Sequence, residues 1–155
     1  MVSRKIPHEY RQFPGGHSTW QEFRLPNLLE FSGRIMIPPI SQVLSATIAR
    51  KGIDSAIRQY REMRHTHARN YNFSEPVLNR LGYDLLRNQK ATEAIEIFKL
   101  NVEIFPRSFN VYDSLAEAYL VNGNKEPALK NYERSLELNP QNTKAVEMLK
   151  KLRGN

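Results

Sequence analysis

The chain contains no cysteine, which excludes disulfides and thiolate metal sites and leaves the redox compartment unassigned. Nowhere does it carry a run approaching the ~20 apolar residues a membrane-spanning helix needs, so no span is expected. The opening Met1-Val2-Ser3-Arg4-Lys5-Ile6-Pro7 is basic, yet no apolar core follows it. No secretory signal is therefore expected, and the cytoplasm is the compartment this implies. A Gly-x-Ser-x-Gly elbow, the strand-to-helix turn that exposes a nucleophilic serine, is also missing.

What is present is ordinary globular usage: 40% hydrophobic and 25% charged residues in a chain of 155. Such a chain folds as one compact domain, or as one domain with an appendage. The net charge of +7 is unevenly spread. Residues 1–74 hold 11 Lys/Arg against 5 Asp/Glu, a surplus of 6, whereas residues 75–155 hold 12 against 11, a surplus of 1. A basic half attracts acidic partners or nucleic acid. Here Arg50, Lys51, Arg58, Arg61, Arg64 and Arg69 fall at helical spacings that suit a solvated face, and no aromatic platform accompanies them. Nucleic acid is therefore not the expected partner.

An internal period organises the second half. Moving residues 75–106 forward by 34 lays Leu78 on Tyr112, Leu81 on Leu115, Gly82 on Ala116 and Leu85 on Tyr119. It also lays Ala94 on Ala128, Phe98 on Tyr132 and Pro106 on Pro140. Large meets large and small meets small. Leucines four apart line one face of a first helix. Gly82 and Ala116 lack bulk where a second helix must approach, Ala94 and Ala128 reciprocate, and Phe98 and Tyr132 are expected to fill the space between successive hairpins. Asn88-Gln89-Lys90 and Asn122-Gly123-Asn124 are turn-prone. Pro106 and Pro140 end the second helices, because proline disfavours helical geometry in the residue before it. Ser74 and Ser108 read as N-caps, the first with Pro76 at an early helical position.

This pattern resembles the tetratricopeptide repeat. The resemblance implies an all-α fold, an α-solenoid of helical hairpins, with one unit over residues 74–107 and another over 108–141. A final helix, Thr143–Arg153 within residues 142–155, offers Val146, Leu149 and Leu152 on one side and lysines on the other, as a terminal lid requires. Before Ser74, Ile40–Arg50 and Ile53–His65 flank Gly52, with Ala56 and Tyr60 spaced like Ala94 and Phe98. Residues 40–73 are thus expected to form a divergent first hairpin, which meets the minimum of about three repeats for stability.

Residues 1–35 do not fit the period. His8–Phe13 is strand-like, Pro14-Gly15-Gly16 is a turn, and Gln21–Arg34 has helical spacing. Ile6–Phe31, with Phe13-Pro14-Gly15-Gly16-His17, Trp20 and Leu25-Pro26-Asn27-Leu28-Leu29, resembles the C-terminal end of an esterase of the α/β-hydrolase class. The resemblance implies a short strand–turn–helix remnant in which His17 matches the family's triad histidine, in a parent that is a bacterial serine esterase continuing into repeats. The triad runs Ser, then acid, then His, and no aspartate precedes His17; the first is Asp54. The chain alone is accordingly expected to be non-catalytic. Its alternative is an esterase fragment that lends His17 to a nucleophile-bearing partner.

Interaction remains as the expected function. In repeats of this kind the first helices line a groove, which here places Asn79, Tyr83, Leu86 and Arg87 of one unit beside Asn110, Asp113, Glu117 and Val121 of the next. A protein or peptide suits such a mixed surface; the chain's own N-terminal segment is the competing occupant, and the apolar surplus of Phe13, Trp20, Phe23 and Phe31 favours self-association. The clamp by which some tetratricopeptide domains grip chaperone termini needs asparagine where Tyr83 and Ser114 stand, which disfavours that ligand. His65 and His67, two apart, point to different sides of a helix and suit its cation-favouring C-terminus better than a metal, so neither metal nor other cofactor is expected. If rings pack against small residues as the period demands, Phe98→Ala and Tyr132→Ala each lower unfolding free energy by about 3–5 kcal/mol. His17→Ala leaves it nearly unchanged, and urea denaturation of the three variants checks the order.

Overall fold

The computed structural model describes residues 37–154. The strand, turn and helix expected over residues 1–35, His17 and Trp20 included, lie outside the described residues. Within them the chain forms α1 (Ile40–Lys51), α2 (Ile53–Thr66), α3 (Glu75–Arg87), α4 (Ala91–Ile104), α5 (Phe109–Val121), α6 (Lys125–Leu138) and α7 (Thr143–Arg153). Among the described residues there is no strand, and no helix is long and apolar enough to cross a membrane. Consecutive helices pair as α1 with α2, α3 with α4, and α5 with α6, and α7 closes against α6. The first helices α1, α3 and α5 neighbour one another along one side, and α2 neighbours α4 along the other. This is the all-α array of hairpins that the 34-residue period predicts.

The turns show why the period holds. Gln89 and Gly123, 34 apart, both take left-handed backbone, φ +59° and +79°. In each, the next amide reaches back five residues: Lys90 N–H donates to the Leu85 carbonyl at 3.0 Å, and Asn124 N–H to the Tyr119 carbonyl at 2.8 Å. Glycine takes this conformation freely, whereas a side-chain-bearing residue there costs about 1–2 kcal/mol. The sequence-predicted caps differ in detail. Ser74 and Ser108 do occupy the N-cap positions, but neither hydroxyl caps its helix. At α3 there is less to cap, since Pro76 has no N–H and Val77 N–H already donates to the Ser74 carbonyl at 3.1 Å. Asn142 does cap α7, accepting from Ala145 N–H at 3.3 Å.

The core runs along the seam between first and second helices. Ile40, Leu44, Ala56 and Tyr60 of the first hairpin join Leu78, Leu81, Ala94 and Phe98 of the second. A smaller cluster holds Ala116, Ala128, Tyr132, Ala145 and Leu149, and Tyr119 packs against both. The Phe98 ring sits directly over Gly82: a Cβ built there would lie 2.5, 2.6 and 2.8 Å from three ring atoms. Phe98 therefore closes its own hairpin rather than only filling the space to the next. It meets Tyr83 edge-on, with centroids 5.3 Å apart, a favoured quadrupole geometry.

The first hairpin joins the rest differently. Four residues link α4 to α5 and four link α6 to α7, but eight, His67–Ser74, link α2 to α3. The extra length breaks the period and holds α2 off α3. Its aromatics fill the gap, Phe73 standing edge-on to Tyr60 at 5.3 Å and to Tyr71 at 6.2 Å.

Gly82→Ala is expected to destabilise by about 1–3 kcal/mol through overpacking, and the cost should shrink in a Phe98→Leu background; a double-mutant cycle by urea denaturation reads the coupling. Tyr132 supplies a pH test. Burial, with the charge of Lys144 opposing and those of Glu117 and Asp113 adding, pushes its phenol up to about 12. The unfolded chain ionises first, near pH 10, so stability holds below pH 10 and falls by roughly 2 kcal/mol as pH rises to about 12. Tyr132→Phe should make that slope shallower, leaving the part contributed by Tyr60 and Tyr83, which burial also raises.

Candidate functional site

Helix α3 carries Asn79 and Tyr83 one turn apart, and α5 carries Asn110, Asp113 and Glu117 on the matching face. The positions agree because each is the other's image under the 34-residue shift: Asn79 on Asp113, Tyr83 on Glu117. The two helices neighbour each other, and their side chains meet. Tyr83 Oη donates to Glu117 Oε2 at 3.0 Å and lies 3.3 Å from Ser114 Oγ. Lys144, at the start of α7, donates to the same Glu117 oxygen at 2.9 Å. One carboxylate oxygen thus ties α3, α5 and α7 together.

The electrostatics follow from that junction. Tyr83 is raised above the ordinary phenol range, chiefly by burial, with the Ser114 bond opposing and the Glu117 charge adding. Burial alone would lower Lys144, but its bond to Glu117 and that residue's charge outweigh it and hold the ammonium above its ordinary value. Lys144 remains about half exposed, where such a pair is worth ~1 kcal/mol or less.

Behind this junction lies a buried polar knot. Asp113 is 5% exposed, and its Oδ2 accepts from Asn142 Nδ2 at 2.7 Å, while the same amide donates to Ser135 Oγ at 2.8 Å. Asn142 therefore serves as cap for α7 and as a cross-brace from α7 to α5 and α6. Asp113 Oδ1 and Asn79 Oδ1 are buried without a hydrogen-bond partner. Asn110 Nδ2 donates to Glu75 Oε1 at 2.8 Å, a further tie between α5 and α3.

Of the eight sequence-predicted groove residues, the structure brings Tyr83 and Glu117 into contact, bonds Asn110 to α3 and buries Asp113 beside them. Asn79 is half-buried on the same face. Leu86 packs against the main core. Arg87 is exposed and pairs with Asp84 on its own helix, and Val121 is exposed at the end of α5. None of these three joins the junction. Sequence reasoning missed Lys144, which it assigned to a solvated lid, and Asn142. The signal for Lys144 was available, since the shift that relates Tyr83 to Glu117 also carries Asn110 onto Lys144.

Two other features stand apart. A cleft of about 360 Å³ is lined by Pro38, Pro39, Tyr71, Val77 and Arg80 among others. On α2, Arg61 is bound to Glu103 at 2.6 Å, and Thr66 Oγ1 lies 2.6 Å from His67 Nδ1.

Residues 109–142 match the tetratricopeptide repeat family. No curated protein matches the chain in sequence. Among solved structures, the first TPR of Spaghetti (RPAP3) bound to the HSP90 peptide SRMEEVD is 22% identical, covers 74% of this chain and 88% of that one, and superposes with a TM-score of 0.51. The second TPR domain of human RPAP3, in complex with the HSP70 peptide SGPTIEEVD, is 18% identical, covering 74% of this chain and 92% of that one at a TM-score of 0.51. The Sgt2 TPR domain from Aspergillus fumigatus is 16% identical, covering 74% and 75% at a TM-score of 0.50. Identities of this size establish the fold alone, and the fold of the described residues is tetratricopeptide-type.

Proposed function

We propose that this chain is a non-catalytic protein-interaction scaffold that takes a peptide, or an exposed segment of a partner, along the face shared by α3, α5 and α7. The observation that carries this is the convergence of Tyr83, Ser114, Glu117 and Lys144 from those three helices at one junction. Tyr83 and Lys144 meet one carboxylate oxygen between three helices, and a half-buried polar face held in one arrangement is pre-organised to bind. Two solved structures of the same fold, the first and second RPAP3 domains, hold peptides, which supports the mode of binding without fixing the ligand. The descent of the chain from an esterase rests on Ile6–Phe31 and His17 alone.

Selection of phage-displayed dodecapeptides on the full chain, followed by fluorescence anisotropy of the enriched sequences, tests the reading. Tyr83→Phe and Glu117→Ala should each weaken binding by about tenfold, or 1.4 kcal/mol, while Arg61→Ala on α2 should not. Enriched peptides that ignore both groove substitutions would overturn it. So would turnover of p-nitrophenyl acetate that disappears in His17→Ala.

A further inference from the structure

The chemistry of the ligand can be narrowed from the groups the junction leaves unused. At the junction Glu75, Asp113 and Glu117 are met by Lys144, which is already bound to Glu117 at 2.9 Å, while Arg87, a turn further along α3, pairs with Asp84 on its own helix. Glu117 spends Oε2 on both Tyr83 and Lys144, and its other oxygen has no bond, with the side chain 39% exposed. The remaining unsatisfied groups are of the same kind. Asp113 Oδ1 and Asn79 Oδ1 are acceptors without donors, the first on a side chain 5% exposed. A buried acceptor left unpaired is costly, so the junction as it stands is short of donors.

We infer that the peptide this groove selects carries a lysine or arginine side chain, which donates to the free oxygen of Glu117 with the Asp113 charge behind it. The inference rests on the groove reading above and adds the class of ligand to it. Asp113 is closed to solvent and so acts through its field, which is stronger in a low-dielectric setting than across water. Lys144, half exposed on a flexible stem, can yield its place at Glu117 without repacking. The chain as a whole carries +7, so long-range attraction favours anions. A cationic preference can only come from these local groups, and that makes it diagnostic.

Two fluorescein-labelled nonapeptide pools, acetylated and amidated and matched in apolar content, provide the probe. One carries two Lys or Arg and no acid; the other carries two Asp or Glu and no base. Titrated against the full chain, the cationic pool should bind at least about tenfold more tightly. Glu117→Gln, which keeps an acceptor for Tyr83 and Lys144, should abolish that preference without changing the circular-dichroism melt, and Lys144→Ala should strengthen it. Equal or tighter binding of the anionic pool overturns the inference while leaving a peptide groove in place. Binding of neither pool overturns the groove reading together with it.

Discussion

The ring of Phe98 resting on the bare backbone of Gly82 is the contact on which the array depends. Two helices can approach this closely only where one of them surrenders its side chain, and the aromatic then excludes water from both. Its consequences spread outward. The ring holds Tyr83 by an edge-on contact, Tyr83 reaches Glu117, and Glu117 reaches Lys144. A packing constraint in the core thereby sets the geometry of the polar face two helices away.

Much of this could be read from the residues in order. The 34-residue shift located α3 to α6 and their turns, and the lid Thr143–Arg153 agrees with the helix found. Ala56 and Tyr60 marked the divergent hairpin, and both are fully buried. Spacing succeeded there because a helix-pair core is dictated by size: a small residue and a ring in fixed register leave few other arrangements. The eight-residue link between α2 and α3 was less legible, since Tyr71 and Phe73 substitute aromatic filling for the regular short turn and obey no period.

The polar face was legible in position more than in connection. The repeat placed Tyr83 and Glu117 on equivalent surfaces, yet nothing local to either residue says that they touch. Hydrogen bonds between helices depend on reach and rotamer, which differ between a phenol, a carboxylate and an ammonium. Asp113 shows the difference most clearly. Its position in the period suits a groove-lining residue, whereas the amide of Asn142, the cap of α7, draws it into the interior. The serine caps misled in the same way: Ser74 and Ser108 stand where capping residues stand, but proline and a backbone turn had already met the need at α3.

The division of the core at Tyr119 bears on how such a chain can change over time. Among the described residues, fifteen buried side chains lie in one cluster and five in the other, with a single tyrosine in contact with both. Interior atoms therefore seldom look beyond the adjoining hairpin, and a duplicated or deleted unit disturbs one boundary instead of an entire centre. Recombination can lengthen or shorten the molecule in whole hairpins. What does not survive such editing is the polar junction, because Tyr83, Glu117 and Lys144 belong to three successive units, and any cut between α3 and α7 separates them. Selection for that junction would hold the register and number of these three helices constant even where the core itself is indifferent to them.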